Sequence, residues 1–196
     1  MADDKLQSLS DEELARLARD GREDSFETLV FRYEGRLVRL LGRWTGNAHD
    51  AEDLTQAAFV AAYRGLPRYD PGRPFAPWLF TIARRLAISH ARAARPSEAL
   101  SDELPAAEDP RGAVMGADGE SRVWETARAL LTEAVFTALW LRLAEGLTVR
   151  EIAQVMGKTT VHVKVMLHRG RRVLAEKILQ DRASEVRGAA PAGETI

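Results

Sequence analysis

The 196-residue chain contains no cysteine, which removes disulfides and thiolate metal sites and is compatible with a reducing compartment. No apolar run approaches the length that crosses a bilayer, and Met1-Ala-Asp-Asp-Lys5 lacks the basic-then-apolar order of a signal peptide. A soluble, cytoplasmic protein with no membrane insertion of its own is expected. There is also little from which to build a catalytic centre. The chain has four histidines and no glycine-rich phosphate loop, and His162 and His168, six residues apart, fall on different faces of a helix and cannot share a metal. Asp50, Glu52 and Asp53 diverge around one helical turn, where negative charge suits a helix N-terminus more simply than it suits a cation. No enzymatic activity, metal or cofactor is expected. Strand-like alternation is missing as well, so the chain reads as all-α.

Net charge is only −1, yet positive charge is concentrated. Between Arg64 and Arg95 seven arginines face a single acid, Asp70, and are interleaved with Tyr69, Phe75, Trp78 and Phe80. Cations that track phosphates beside rings that offer stacking faces are what unpaired nucleic-acid bases require. Phe75, Trp78, Leu79, Ile82 and Leu86 recur at helical spacing and also read as a buried stripe. That stripe leaves the opposite face of Arg84, Arg85, Arg92 and Arg95 unexplained, since the nearest acid in the sequence, Glu98, lies beyond the helix.

Helix signals order the rest. Ser10-Asp-Glu-Glu13 is a capping box. A helix is expected from Asp24 to Trp44, stopped by Gly46-Asn47, and another from Asp50, as its cap, to Arg64. An irregular loop containing Pro67, Pro71, Gly72 and Pro74 precedes a helix over Phe75–Ala94. Residues 96–121 hold Glu98, Asp102, Glu103, Glu108, Asp109, Asp118 and Glu120 against Arg111 alone, and read as a flexible acidic linker. Beyond it Thr148-Val-Arg-Glu151 is a second capping box. Ala153 is small enough for a close helix crossing, Gly157 supplies a turn, and Thr159 or Thr160 caps a basic helix from Val161 to Ile178, with Val163, Met166 and Leu167 inward and Val165 outward. This is the pattern of a helix-turn-helix, whose second helix enters the major groove. The expected organisation is two small helical domains, 1–95 and 122–179, joined by the linker and followed by a disordered tail at 180–196.

Asp50-Ala-Glu-Asp-Leu-Thr-Gln56, Phe59, Ala62, Phe75-Ala-Pro-Trp-Leu79 and Ile82-Ala-Arg-Arg-Leu-Ala-Ile88 resemble the core-binding and promoter-melting domain of bacterial sigma factors of the extracytoplasmic-function (ECF) group. Leu131 to Leu147, Glu151-Ile-Ala153, Gly157, Val163-Lys164 and Leu167-His-Arg169 resemble the C-terminal domain of the same family, in the same order. The resemblance implies docking on core RNA polymerase through Asp50, Glu52, Asp53, Leu54 and Gln56. It implies −10 element binding and capture of melted bases by Tyr69, Arg73, Phe75, Trp78, Arg84, Arg85 and Arg92. It implies −35 element binding by Thr160, Val161, His162, Lys164, Val165, His168, Arg169 and Arg172. Core polymerase, promoter DNA and an anti-sigma factor are the implied partners, and polymerase supplies the chemistry. Ala57 stands where the family usually has an acid, and Val161 and Val165 where small, hydroxyl or basic residues are common. A sigma-like decoy that only binds an anti-sigma factor is the alternative reading; a stand-alone helix-turn-helix regulator is a third, against which the first domain's docking motif argues.

Overall fold

The computed structural model describes residues 6–94 and 120–188. Residues 1–5, Arg95, positions 96–119 of the expected linker and the last eight residues lie outside them, while Glu120 and Ser121, expected at the linker's end, begin a helix. Helix α1 (Asp11–Arg19) begins at the anticipated capping box: Ser10 Oγ accepts from Glu13 N–H, and the Glu13 carboxylate accepts from Ser10 N–H. Helix α2 (Glu23–Thr45) ends at Gly46, whose φ of 70° places it in the left-handed region that closes a helix at glycine without strain. Helix α3 (Ala48–Gly65) is capped by Asn47, which accepts from His49 N–H at 2.9 Å. Asp50 therefore lies inside the first turn instead of at the cap; the Asn immediately after Gly46 already satisfies the free donors. A short 3-10 turn (Leu66–Arg68) leads through the Pro/Gly loop into α4 (Phe75–Ala94).

These helices pack as one unit around Leu14, Leu29, Tyr33, Leu37, Leu41, Ala58, Phe75, Leu79 and Phe80, all buried. The second unit holds α5 (Glu120–Leu130), α6 (Glu133–Leu143), α7 (Val149–Met156) and α8 (Thr160–Gly188). Helix α7 starts at the Thr148/Glu151 capping box and ends at Gly157, φ 63°. Thr159 is the residue that caps α8, its Oγ1 accepting from His162 N–H at 3.2 Å. Helix α8 runs ten residues past the expected end, to Gly188, so residues 180–188 of the expected disordered tail are helical. The i,i+4 pair Lys177–Asp181 spans the start of this extension. The two units touch: α4 packs on α7, and long side chains of α2 reach α6.

Candidate docking and nucleic-acid surfaces

Helix α3 turns Ala51, Leu54, Thr55, Ala58 and Ala62 inward and leaves Glu52, Asp53 and Gln56 exposed. Leu54, 8% exposed, is core, and its expected place in a docking contact is corrected: at about 100° per residue it shares the inward stripe with Ala51 and Ala58. Asp50 is half-buried, with a carboxylate oxygen 3.9 Å from Nε2 of His90 on α4. Continuing along the exposed side from Asp53 and Gln56, the helix presents Val60 and Tyr63, both about half exposed. With Glu23, Phe26, Glu27, Phe59 and Arg64 these two line a groove of about 520 Å³, and the Phe26 ring meets Tyr63 edge-on at 5.0 Å. Sequence reading missed this apolar extension. The spacing of 53, 56, 60 and 63 on one helical face was the signal that could have found it.

The loop before α4 is held by its own residues. Asp70 accepts from Gly72 N–H at 2.9 Å and lies 3.4 Å from the Arg73 guanidinium, which remains largely exposed. Tyr69 is buried, its hydroxyl donating to the Arg73 carbonyl at 2.5 Å, and burial pushes its phenol pKa up. Phe75 is fully buried among Tyr33, Tyr69 and Trp78, and its N–H donates to Glu12 of α1 at 3.0 Å. Neither Tyr69 nor Phe75 has a free face, so both expected base-stacking roles are corrected: the rings form the aromatic wall that fixes the loop. Trp78, tilted against Tyr69 at 4.8 Å between centroids, is only partly buried and keeps accessible ring surface. Arg84 is half-buried, while Arg85 and Arg92 are exposed.

In the second unit Val163, Met166 and Leu167 are buried, as expected. Gly170 marks the crossing of α6 over α8, since a Cβ there would meet Leu139 Cδ1 at 2.6 Å and Val135 Cγ1 at 2.8 Å. With those residues inward, Thr160, Val161, His162, Lys164, Val165, His168, Arg169 and Arg172 are all exposed. Val161 and Val165, 68% and 56% exposed, sit four apart between Lys164, Arg169 and the two histidines. The face is thus cationic with an apolar centre, able to meet phosphates at its margin and a methyl-bearing base edge in the middle. Among the described residues no group of three or more acids and histidines is placed to hold a metal, and no described helix is long and apolar enough to cross a membrane.

Against known proteins, residues 29–96 match the family model for sigma-70 region 2 and residues 123–174 that for sigma-70 region 4. The chain is 32% identical over 183 residues to the RNA polymerase sigma-H factor of Pseudomonas aeruginosa, covering 87% of this chain and 94% of the relative. It is 28% identical over 171 residues to the ECF RNA polymerase sigma factor SigW of Bacillus subtilis, covering 81% and 91%. Among solved structures, CnrH in complex with the cytosolic domain of CnrY aligns with a TM-score of 0.60 and 26% identity, over 87% of this chain and 98% of that one. The sigma factor RpoE bound to the anti-sigma factor NepR, from Bartonella quintana, shares the fold at a TM-score of 0.58 and 21% identity, over 77% and 94%.

Proposed function

Because this chain belongs to the ECF group of RNA polymerase sigma factors, we propose that it binds core polymerase and directs initiation at promoters carrying −10 and −35 elements. The observation that carries this reading is the separation of three chemically distinct faces on one chain. An acidic face on α3 (Glu52, Asp53, Gln56) suits a basic protein surface. A basic face on α4 with one available ring (Trp78, Arg84, Arg85, Arg92, with Arg73 from the loop) suits a melted strand. The exposed side of α8 suits duplex DNA. Melting a base pair and holding the base outside the stack costs a few kcal/mol, offset by stacking on Trp78 and by phosphate contacts. Polymerase performs the bond-forming step, and this chain supplies position and strand capture. An anti-sigma factor is the expected regulatory partner, in keeping with the one structural relative solved with an anti-sigma factor.

The test is run-off transcription with purified core enzyme and the DNA upstream of the chain's own gene. Promoter-specific transcripts that depend on the added chain support the reading; core binding with no specific transcript overturns it. The decoy reading is favoured by one observation, the exposed Val161–Val165 pair on the helix expected to read DNA. It requires tight anti-sigma binding without transcription from any promoter.

A further inference from the structure

Helix α4 begins without a side-chain cap of its own. Pro74 precedes it and carries no acceptor, and Pro77 lacks an N–H, so the free donors of the first turn belong to Phe75, Ala76 and Trp78. The acceptor for the first of them comes from another helix: Glu12 Oε1 of α1 takes the Phe75 N–H at 3.0 Å, across 63 positions of sequence. A carboxylate there also meets the positive end of the α4 dipole. Glu12 sits between two anchored neighbours. Asp11 accepts from Arg32 Nη1 at 2.5 Å and from the Tyr33 hydroxyl, while Glu13 closes the capping box with Ser10. The Tyr33 and Tyr69 rings meet the Phe75 ring edge-on, at 5.6 and 5.7 Å between centroids, and the Tyr69 hydroxyl holds the Arg73 carbonyl.

We infer that Glu12 is a positioning residue for strand capture: through the Phe75 N–H it fixes the start of α4 and, with it, the angle at which Arg73 and Trp78 meet an unpaired base. Arg73 extends from the residue before Pro74 with only the exposed Asp70 as an ion-pair partner among the described residues, and Trp78 leans on Tyr69 and Phe75. Both side chains therefore follow the backbone that Glu12 anchors. Reading a base requires its contacting groups to be placed to within about 0.5 Å, whereas phosphate contacts carry no sequence information directly. Loss of the anchor should thus cost discrimination between bases more than it costs affinity for a strand. Helix α1 lies ahead of residues 29–96, which match the region 2 family model, so this role falls to a segment outside that match. The effect on base reading rests on the sigma reading, whereas the anchoring of the loop rests on the hydrogen bond alone.

The test compares Glu12→Ala, which removes the acceptor, with Glu12→Gln, which keeps an amide oxygen in its place and removes only the charge. In the free full-length chain, backbone hydrogen exchange over residues 70–79 should accelerate roughly fivefold in Glu12→Ala and stay near that of the parent in Glu12→Gln. The second readout uses holoenzyme assembled with purified core and a fluorescent single-stranded −10 oligonucleotide from upstream of the chain's own gene, substituted at each base in turn. The largest ratio of affinities, on the order of tenfold in the parent, should fall below about threefold in Glu12→Ala and persist in Glu12→Gln. Asn47→Ala removes the cap of α3 in the same helical unit; it should lower the melting temperature as Glu12→Ala does, by about 2–4 °C, and leave that ratio unchanged. Equal loss of discrimination in Asn47→Ala and Glu12→Ala would reduce Glu12 to a stabilising contact and overturn the proposal. So would a folded Glu12→Ala chain that keeps the parent's exchange or the parent's discrimination. Should Glu12→Ala unfold by circular dichroism, Glu12→Asp, whose shorter side chain withdraws the carboxylate from Phe75, takes its place with the same outcomes expected. A parent holoenzyme that discriminates at no position would instead remove the sigma reading and the role in base reading with it, while accelerated exchange in Glu12→Ala would leave the anchor itself standing.

Discussion

Asp53 is exposed near the start of α3, with its carboxylate 3.9 Å from His49 and no part in the core. Substituting it therefore tests docking without disturbing folding. Asp53→Arg should weaken core-polymerase binding by on the order of 1–3 kcal/mol through like-charge repulsion, with melting temperature unchanged; unaltered co-elution with core at moderate salt would remove this face from the interface. Val165 offers a second residue-scale test. If it meets a thymine methyl, Val165→Ser should cost roughly 1 kcal/mol at one position of the upstream element and little elsewhere. If a protein partner covers it, the same change should raise activity in cells and leave purified holoenzyme unaltered. Its outward position was legible in the sequence because Val163 and Leu167 already fill the inward one. Leu54, Tyr69 and Phe75 were harder to place. A polymerase contact and a core contact both call for leucine, and a base platform and an aromatic wall both call for tyrosine and phenylalanine. Only the rotation of α3 and the fold of the loop onto α1 separate these roles.

At the scale of elements, caps and turns were readable since each depends on a few adjacent residues: Ser10/Glu13, Thr148/Glu151, Gly46 and Gly157 all stand where local chemistry demands them. The length of α8 was not, because its polar, Ala- and Gly-containing end reads in sequence as a tail. Two expectations belong to this scale. Arg84→Ala with Arg85→Ala should flatten the slope of log K against log salt for promoter binding by about 0.7–0.9 for each phosphate left without its arginine, and reduce strand opening with it. Permanganate reactivity of the bubble that is identical in the double variant would assign both arginines to surface solvation. Gly170→Ala gains about 1 kcal/mol of helix propensity but drives its methyl into Leu139 and Val135 of α6, at a cost of roughly 1–3 kcal/mol. A net loss near 1 kcal/mol, about 2–4 °C in melting temperature, should follow; a rise would mean that α6 and α8 have room to separate.

For the molecule as a whole, the packing of one unit on the other was invisible in the sequence. Helical periodicity shows that Arg43 and Trp44 lie on a face, but not that a glutamate and a threonine some ninety residues later will cover it. That cover has a pH signature. Burial raises the pKa of Glu133, outweighing Arg43, the hydrogen bond from Thr137, and Arg128; Arg128, itself beside Glu125, is lowered by burial and by Arg43. A carboxyl whose pKa is raised on folding binds its proton more tightly in the packed state. Its contribution is fully present below the unfolded value near 4.5 and fades as pH rises through the raised value. Mild acidification from neutrality should therefore strengthen the packing that buries Glu133, with the protonated acid retaining its place beside Thr137 while shedding a buried charge. Melting temperature, followed downward from pH 7, should rise in the parent chain relative to Glu133→Gln, in which this proton is removed from the balance. Other carboxylates act on both proteins alike, so the difference between the two curves isolates the one group. A parent chain that loses stability on acidification relative to Glu133→Gln would reverse the sign and show that the charged pair, and not the neutral acid, holds this packing together.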